Sequence, residues 1–192
     1  MEIVLIRHGE STANAIKEER EKIFIGQWDC ELTDRGAEQA LKLRNSPVVE
    51  NADAFFCSDL KRAIHTARLI TDRDVIADKR LRERSLGDFE GKLIDEIKEN
   101  PLYGEYFNNP DYSDFRHGFN KKAPDGENYC DVCERVSSFL NELDKNYEKI
   151  VIVAHFCAIR CIIKTVKNLS DEETLKLRIF NCEPIVINYD AQ

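Results

Sequence analysis

The 192-residue chain is predicted to fold as a three-layer α/β sandwich on a mostly parallel sheet flanked by helices. Short apolar runs rich in branched residues recur along it, segments of helical period fall between them, and no stretch approaches membrane-spanning length. One domain over residues 1–192 is expected, long enough to bury most of a single core.

The first run, EIVLI (2–6), is a strand by length and composition, and it stops at Arg7, His8 and Gly9. In TDRGAEQALKLRN (33–45), Thr33 is placed to cap a helix whose apolar period runs through Ala37, Ala40 and Leu41. ADAFF (52–56) is the next strand, followed by the helix SDLKRAIHTARLI (58–70) with Ser58 placed to cap. DVIA (74–77) is a short strand. From about 92 to 123 the pattern breaks into aromatic, Asn/Pro-rich pieces such as ENPLYGEYFNNPDY, which reads as a lid-like insertion. The longest helix is expected from Glu127 to about Asn146. KIVIVA (149–154) is a strand, HFCAIRCIIKTVKN (155–168) a helix, Ser170 and Glu173 a capping box, and PIVINY (184–189) the last strand.

Composition excludes several classes. Hydrophobic residues at 42% and charged residues at 33% are ordinary for a folded globular chain. A net charge of -8 and a pI near 5.1 argue against a nucleic-acid or anionic-membrane partner, so any anion site is local. The N-terminal apolar run is too short for a signal peptide and has no basic region before it. Seven irregularly spaced cysteines then read as free thiols in a reducing cytoplasm. Cys130 and Cys133 form a CxxC, but it sits in helical spacing with no second pair, so neither a metal nor a redox role is expected of it.

In open α/β sheets, ligands sit beyond the carboxyl ends of the strands. There the first strand delivers Arg7 and His8, the second delivers Ser58 and, a helical turn on, Arg62, and KIVIVA delivers His155. LRERSLGDFEG adds Glu83 before a glycine-containing loop. A lone His after a strand is an ordinary structural residue; two placed identically, with two arginines and a carboxylate, suggest a shared anion site.

IRHGES, LTDRGAEQA, CSDLKRAIHTA, LRERSLGDFEG, PDGE and VIVAHFCAIR follow one another as in the histidine phosphatase superfamily, the phosphoglycerate mutase-like fold, which this chain resembles from residue 3 to about 160 and through the final strand. The resemblance implies a single histidine phosphatase domain on a mixed sheet, phosphoryl transfer through a phosphohistidine, and no metal or other cofactor. By that resemblance His8 is the nucleophile, which attacks while neutral, and Arg7 and Arg62 bind phosphate and keep it neutral. His155 resembles the second family histidine, a donor to a phosphoryl oxygen. Glu83 resembles the general acid, with a raised pKa expected from partial burial and from the phosphate's charge. Asn14 matches a family phosphate contact, and Gly26, Gln27 and Asp29 match a loop at the site's entrance, in which Trp28 either lines or packs. Gly9 is expected to let the backbone approach phosphate. Ser58 is either a cap or a site residue.

Two departures stand out. The family usually has glycine after its second histidine, where this chain has Phe156 and Cys157, so the pocket's size is open. His65 replaces a common glutamine and is either a surface residue or an extra substrate contact.

The expected activity is hydrolysis of a small phosphorylated metabolite. The rival is a cofactor-dependent phosphoglycerate mutase, for which family members use longer insertions and a C-terminal tail; this chain has a modest insertion and stops soon after PIVINYDAQ. A noncatalytic phosphate binder would have lost His8, Arg62, Glu83 or His155, and all are present. A cysteine phosphatase needs an arginine six residues after its cysteine, and none of the seven has one. Tyr103, Tyr106, Phe107, Arg116 and His117 are candidate substrate contacts in the insertion, or a packed lid. Sugar phosphates, nucleotide-loop precursors of cobalamin and phosphoglycerates are all candidate substrates, with a phosphoprotein less favoured.

Overall fold

In the computed structural model, which describes residues 1–19, 23–109, 115 and 118–190, five strands lie in the order β3-β2-β4-β1-β5. They are β1 (Glu2–Arg7), β2 (Ala54–Cys57), β3 (Val75–Ala77), β4 (Lys149–Ala154) and β5 (Ile185–Asn188). The pairs β1·β4, β4·β2 and β2·β3 are parallel; β5 closes the other edge antiparallel to β1. The sheet is therefore mixed, as expected.

Strands covered on both faces need apolar residues at every position, which is why β1, β2 and β4 read as unbroken runs. Ile3 and Leu5 point to one core layer with Phe56, Ile150 and Ile152, and Val4 and Ile6 to the opposite layer with Phe55, Val151 and Val153. Each such buried side chain contributes roughly 1.5–3 kcal/mol of transfer free energy.

Eight helices complete the described fold: α1 (Thr12–Glu19), α2 (Asp34–Leu41), α3 (Lys61–Ile70), α4 (Ile94–Glu99), α5 (Glu105–Asn108), α6 (Tyr129–Asn141), α7 (Phe156–Lys167) and α8 (Asp171–Lys176). The first core layer is closed by α6 and α7, and the second by residues of α2 and α3. Thr33 caps α2 by accepting from Gly36 N, and Ser170 caps α8 by accepting from Glu173 N. The longest helix is shorter than its expected span at both ends. Asn128 caps it by accepting from Asp131 N, and Glu142 closes it. Asp144 then accepts from Asn146 N in a local turn that competes with helix.

Ser58 is not the cap of α3; that position is Leu60, and Ser58 Oγ accepts its N–H at 3.2 Å from two residues upstream. Asp29 Oδ1 supplies the helix by accepting from Lys61 N at 2.9 Å. The insertion holds α4 and α5 and builds a separate apolar cluster, in which Phe24, Phe89, Ile94, Ile97, Phe115 and Ala123 are buried.

Register fixes what these layers present. Arg7 pairs with Ala154 and Cys57 with Val153, so the parallel strands end almost level. The next residues, His8, His155 and Ser58, emerge side by side at one sheet edge.

Candidate active site

His8 and His155 follow paired strand ends, and their ring centroids are 5.0 Å apart. Both are buried. His8 Nδ1 lies 2.7 Å from the carbonyl oxygen of Gly9. A carbonyl only accepts, so the imidazole proton sits on Nδ1 and the lone pair of the neutral ring is on Nε2. The same loop is fixed from three sides: Asn181 Nδ2 donates to His8 O, Gly9 N donates to Thr66 Oγ1, and Thr66 Oγ1 donates to Arg62 O.

Burial holds the His8 imidazole well below its ordinary value of 6.5, and the Arg62 and Arg7 guanidiniums add to the depression. His155 is depressed for the same reasons, burial first and Arg62 next. Sequence reasoning identified the arginines as the cause of neutrality; burial is the larger one. Both rings are thus uncharged at neutral pH, beside two guanidiniums.

Arg62 is 1% exposed although it stands in the first turn of α3. Its NH1 donates to Trp28 O at 2.7 Å and its NH2 to Gly26 O at 3.0 Å. Gly26 adopts φ +52°, and a Cβ there would meet Glu90 Oε1 at 2.4 Å, so this carbonyl is presented by a turn that suits glycine. Arg7 NH1 donates to Ile179 O at 3.0 Å. The Nε atoms of Arg7 and Arg62 and both ring nitrogens of His155 are buried without a hydrogen-bond partner among the described residues. Buried polar atoms are usually paired, so a cluster of unpaired nitrogens suits an anionic ligand.

A cavity of about 630 Å³ opens here, lined among the described residues by Arg7, His8, Asn14, Gly26, Arg62 and Glu83 on its polar side. Asn14 Oδ1 accepts from Ser11 N, which leaves the Nδ2 donors for a ligand. Glu83 Oε1 accepts from Arg84 N at 2.8 Å and from Cys157 N at 3.0 Å, docking the carboxylate on the first turn of α7.

The frame behind Glu83 was not legible in sequence. Arg135 on α6 donates through NH1 to Arg80 O and Arg82 O and through NH2 to Glu83 O, and it forms a paired bridge to Glu127. Glu127 in turn accepts from Ser85 N. Glu90 Oε1 collects Gln27 N, Ser85 Oγ and Leu86 N. The only prior signals were PDGE, which contains Glu127, and an arginine one helical face beyond it.

Several expectations are corrected. Gln27 is not among the described lining of the cavity: its Nε2 donates to Glu83 O at 2.9 Å and its Oε1 accepts from Arg82, so it braces the loop that carries Glu83. Asp29 serves the start of α3 instead of the entrance. Gly9 is required by packing rather than by phosphate, because a Cβ there would meet Gly36 O at 2.3 Å. His155 lies behind the cavity lining, fully buried, and His65 is exposed on the outer face of α3. Tyr103, Tyr106 and Phe107 pack into the insertion's apolar cluster and do not line the cavity. Arg116 and His117 lie outside the described residues. Phe156 and Cys157 both line the cavity, and burial pushes the Cys157 thiol up to about 12, which keeps it protonated.

A mixed α/β sheet that sets two neutral histidines, a buried and a half-buried arginine and a carboxylate at one cavity has the groups that suit a phosphoryl anion. Comparison with known proteins agrees: the chain belongs to the histidine phosphatase superfamily (branch 1), whose profile matches residues 3–192. It is 30% identical over 194 residues to the probable phosphoglycerate mutase GpmB of Enterobacter sp. (strain 638), covering 98% of this chain and 85% of that one. It is 31% identical over 222 residues to the 2,3-bisphosphoglycerate-dependent phosphoglycerate mutase of Bacteroides fragilis (strain ATCC 25285), covering 99% and 87%. Among solved structures, the α-ribazole phosphatase from Shigella flexneri superposes with a TM-score of 0.81 at 28% identity, covering 99% of this chain and 91% of that one.

Proposed function

We propose that the protein is a phosphomonoester hydrolase that acts on a small phosphorylated metabolite through a phosphohistidine on His8. The observation that carries this reading is the tautomer: with Nδ1–H spent on Gly9 O, the Nε2 lone pair of a neutral His8 stands among the guanidiniums of Arg7 and Arg62. Nε2 attacks phosphorus, the phosphorus–oxygen ester bond breaks, and the proton of Glu83 goes to the departing alkoxide. Water then gives its proton to Glu83 and attacks the phosphohistidine, releasing phosphate and restoring His8. Arg7, Arg62 and Asn14 hold the phosphoryl oxygens as charge spreads over them in the transition state, with the neutral His155 ring behind, 5.0 Å from that of His8. Oε1 of Glu83 takes both backbone amides at the shorter distances, which suits Oε2 as the atom that carries the proton. Among the described residues of the insertion, Ile94 contributes a wall of the cavity.

The mutase reading is favoured by the names of the relatives at 30–31% identity. It would return the phosphoryl group to a phosphoglycerate instead of to water. The match to the Bacteroides mutase runs over 222 residues against a chain of 192, so that enzyme carries internal segments this one lacks. The match to GpmB, over 194 residues, lacks such segments as well, so length does not separate the two readings.

Phosphate release from two esters, one with an alkyl and one with a nitrophenyl leaving group, tests the assignment. Glu83→Gln should slow the alkyl ester by about 10²–10⁴-fold and the nitrophenyl ester far less, because nitrophenolate leaves without a proton. Equal losses on both would remove Glu83 as the acid. Faster transfer to a phosphoglycerate than to water would establish the mutase.

A further inference from the structure

The reading of the site as a phosphatase leaves most of its cavity without a task. Its volume of about 630 Å³ is that of a site for a drug-sized molecule. Beside Ser11, Arg84 and Cys157, the rest of the described lining is apolar: Ile23, Phe24, Ile25, Leu86, Ile94 and Phe156.

Phe156 is the most telling of these. It follows His155 directly, stands at the first position of α7, and its ring lies 5.6 Å below the Arg7 guanidinium, so an aromatic wall begins beside the phosphate arginine. A second guanidinium, that of Arg160, lies 4.1 Å from the ring centroid. Arg160 is itself buried and fixed: Nε and NH2 donate to Leu177 O, NH2 also to Leu175 O, and NH1 to the Tyr129 hydroxyl. A ring packed beside a guanidinium that is itself locked to backbone carbonyls is a preorganised surface.

The cations of the described lining are Arg7, Arg62 and Arg84. Arg84 is engaged elsewhere, since its NH1 donates to Phe115 O and its guanidinium lies 5.1 Å from the Tyr129 ring. The apolar part of the described lining, Phe24, Ile94 and Phe156 among it, suits an apolar body beside the phosphoryl group. Resting on the phosphatase reading, we propose that the alcohol part of the substrate is an apolar, ring-bearing body that lies against Phe156, and that Phe156 is the specificity-determining residue of the site.

The test compares alkyl esters of similar leaving-group strength: 2-phenylethyl phosphate, ethyl phosphate, glycerol 3-phosphate and 3-phosphoglycerate. In the parent protein kcat/KM for 2-phenylethyl phosphate should exceed that for glycerol 3-phosphate by about tenfold or more, as removal of even small apolar groups from such a pocket does. Phe156→Gly should bring the ratio to below about threefold, while Phe156→Leu, which keeps an apolar wall, should retain most of it. Competitive inhibition by inorganic phosphate reports whether each variant still forms the anion site. A parent ratio near one, or an unchanged ratio in a phosphate-binding Phe156→Gly, overturns the proposal and leaves the phosphatase reading standing. If Phe156→Gly does not fold, the parent ratio and the Phe156→Leu ratio still decide. Failure to hydrolyse any of the four esters removes the phosphatase reading itself.

Discussion

Two histidines carry the site's chemistry by staying uncharged, and that state has a measurable cost in stability. In the unfolded chain each protonates near its ordinary value of 6.5, whereas in the fold burial and the neighbouring arginines hold both well below it. The unfolded state therefore binds more protons on acidification, so this stability is fully present above about pH 6.5 and drains away as pH falls towards the lowered values. Each histidine adds a slope of up to ~1.4 kcal/mol per pH unit in that window. Urea unfolding between pH 7.5 and 5 should show the decline, and His155→Asn should make it shallower; an unchanged slope in the variant would contradict burial of a neutral His155. Arg135 is the second residue-scale claim. It acts through Glu83 by fixing the backbone carbonyls of Arg80, Arg82 and Glu83, so Arg135→Met should cut kcat on an alkyl ester by about tenfold to a hundredfold. A nitrophenyl ester should be nearly spared, and Arg135→Lys should not rescue, since one ammonium cannot replace a planar fork. Loss on both esters alike would mean a structural role only. Arg7, His8 and His155 were legible because a charged or ring residue after an apolar run stands out. Arg135 and Gln27 were not, because an arginine on a helix and an amide in a loop take partners that only tertiary contact decides.

At the scale of elements, the active-site loop is positioned by a contact between two glycines. A Cβ on Gly36 would meet Glu10 O at 2.0 Å, and one on Gly9 would meet Gly36 O at 2.3 Å, so the first turn of α2 and the loop after β1 touch backbone to backbone. Gly36→Ala should destabilise by about 1–3 kcal/mol, the usual cost of overpacking, and should lower activity more than Glu38→Gln at an exposed position two residues on. Urea midpoints read the first effect and kcat/KM the second; a Gly36→Ala protein of parental stability would show that the contact is soft. Strands and the capped helices were legible because period and cap residues are local properties. α1, α4 and α5 were not, since they are only 8, 6 and 4 residues long and contribute too few turns for a period to show.

Across the molecule, charge and packing are divided by region. The chain carries a net -8, yet two arginines, the half-buried Arg7 and the buried Arg62, stand at the carboxyl ends of the central strands. Two core layers fix the sheet, and a third, separate aromatic cluster fixes the insertion beside the cavity. Fold class and the polar half of the site were readable from strand ends in sequence. The apolar half was not, because Phe24, Ile94 and Phe156 come from three distant segments that only folding brings to one cavity.

The central claim is covalent chemistry at one atom, Nε2 of His8. Rapid mixing with a labelled phosphate ester near pH 6, quenching in base and peptide mapping tests it most directly. The account predicts an acid-labile, base-stable phosphoryl group on His8 that forms faster than steady-state turnover and is absent from His8→Ala, which should also lose at least about a thousandfold in kcat. Turnover that survives His8→Ala, or a phosphoryl group found on any other residue, would contradict it.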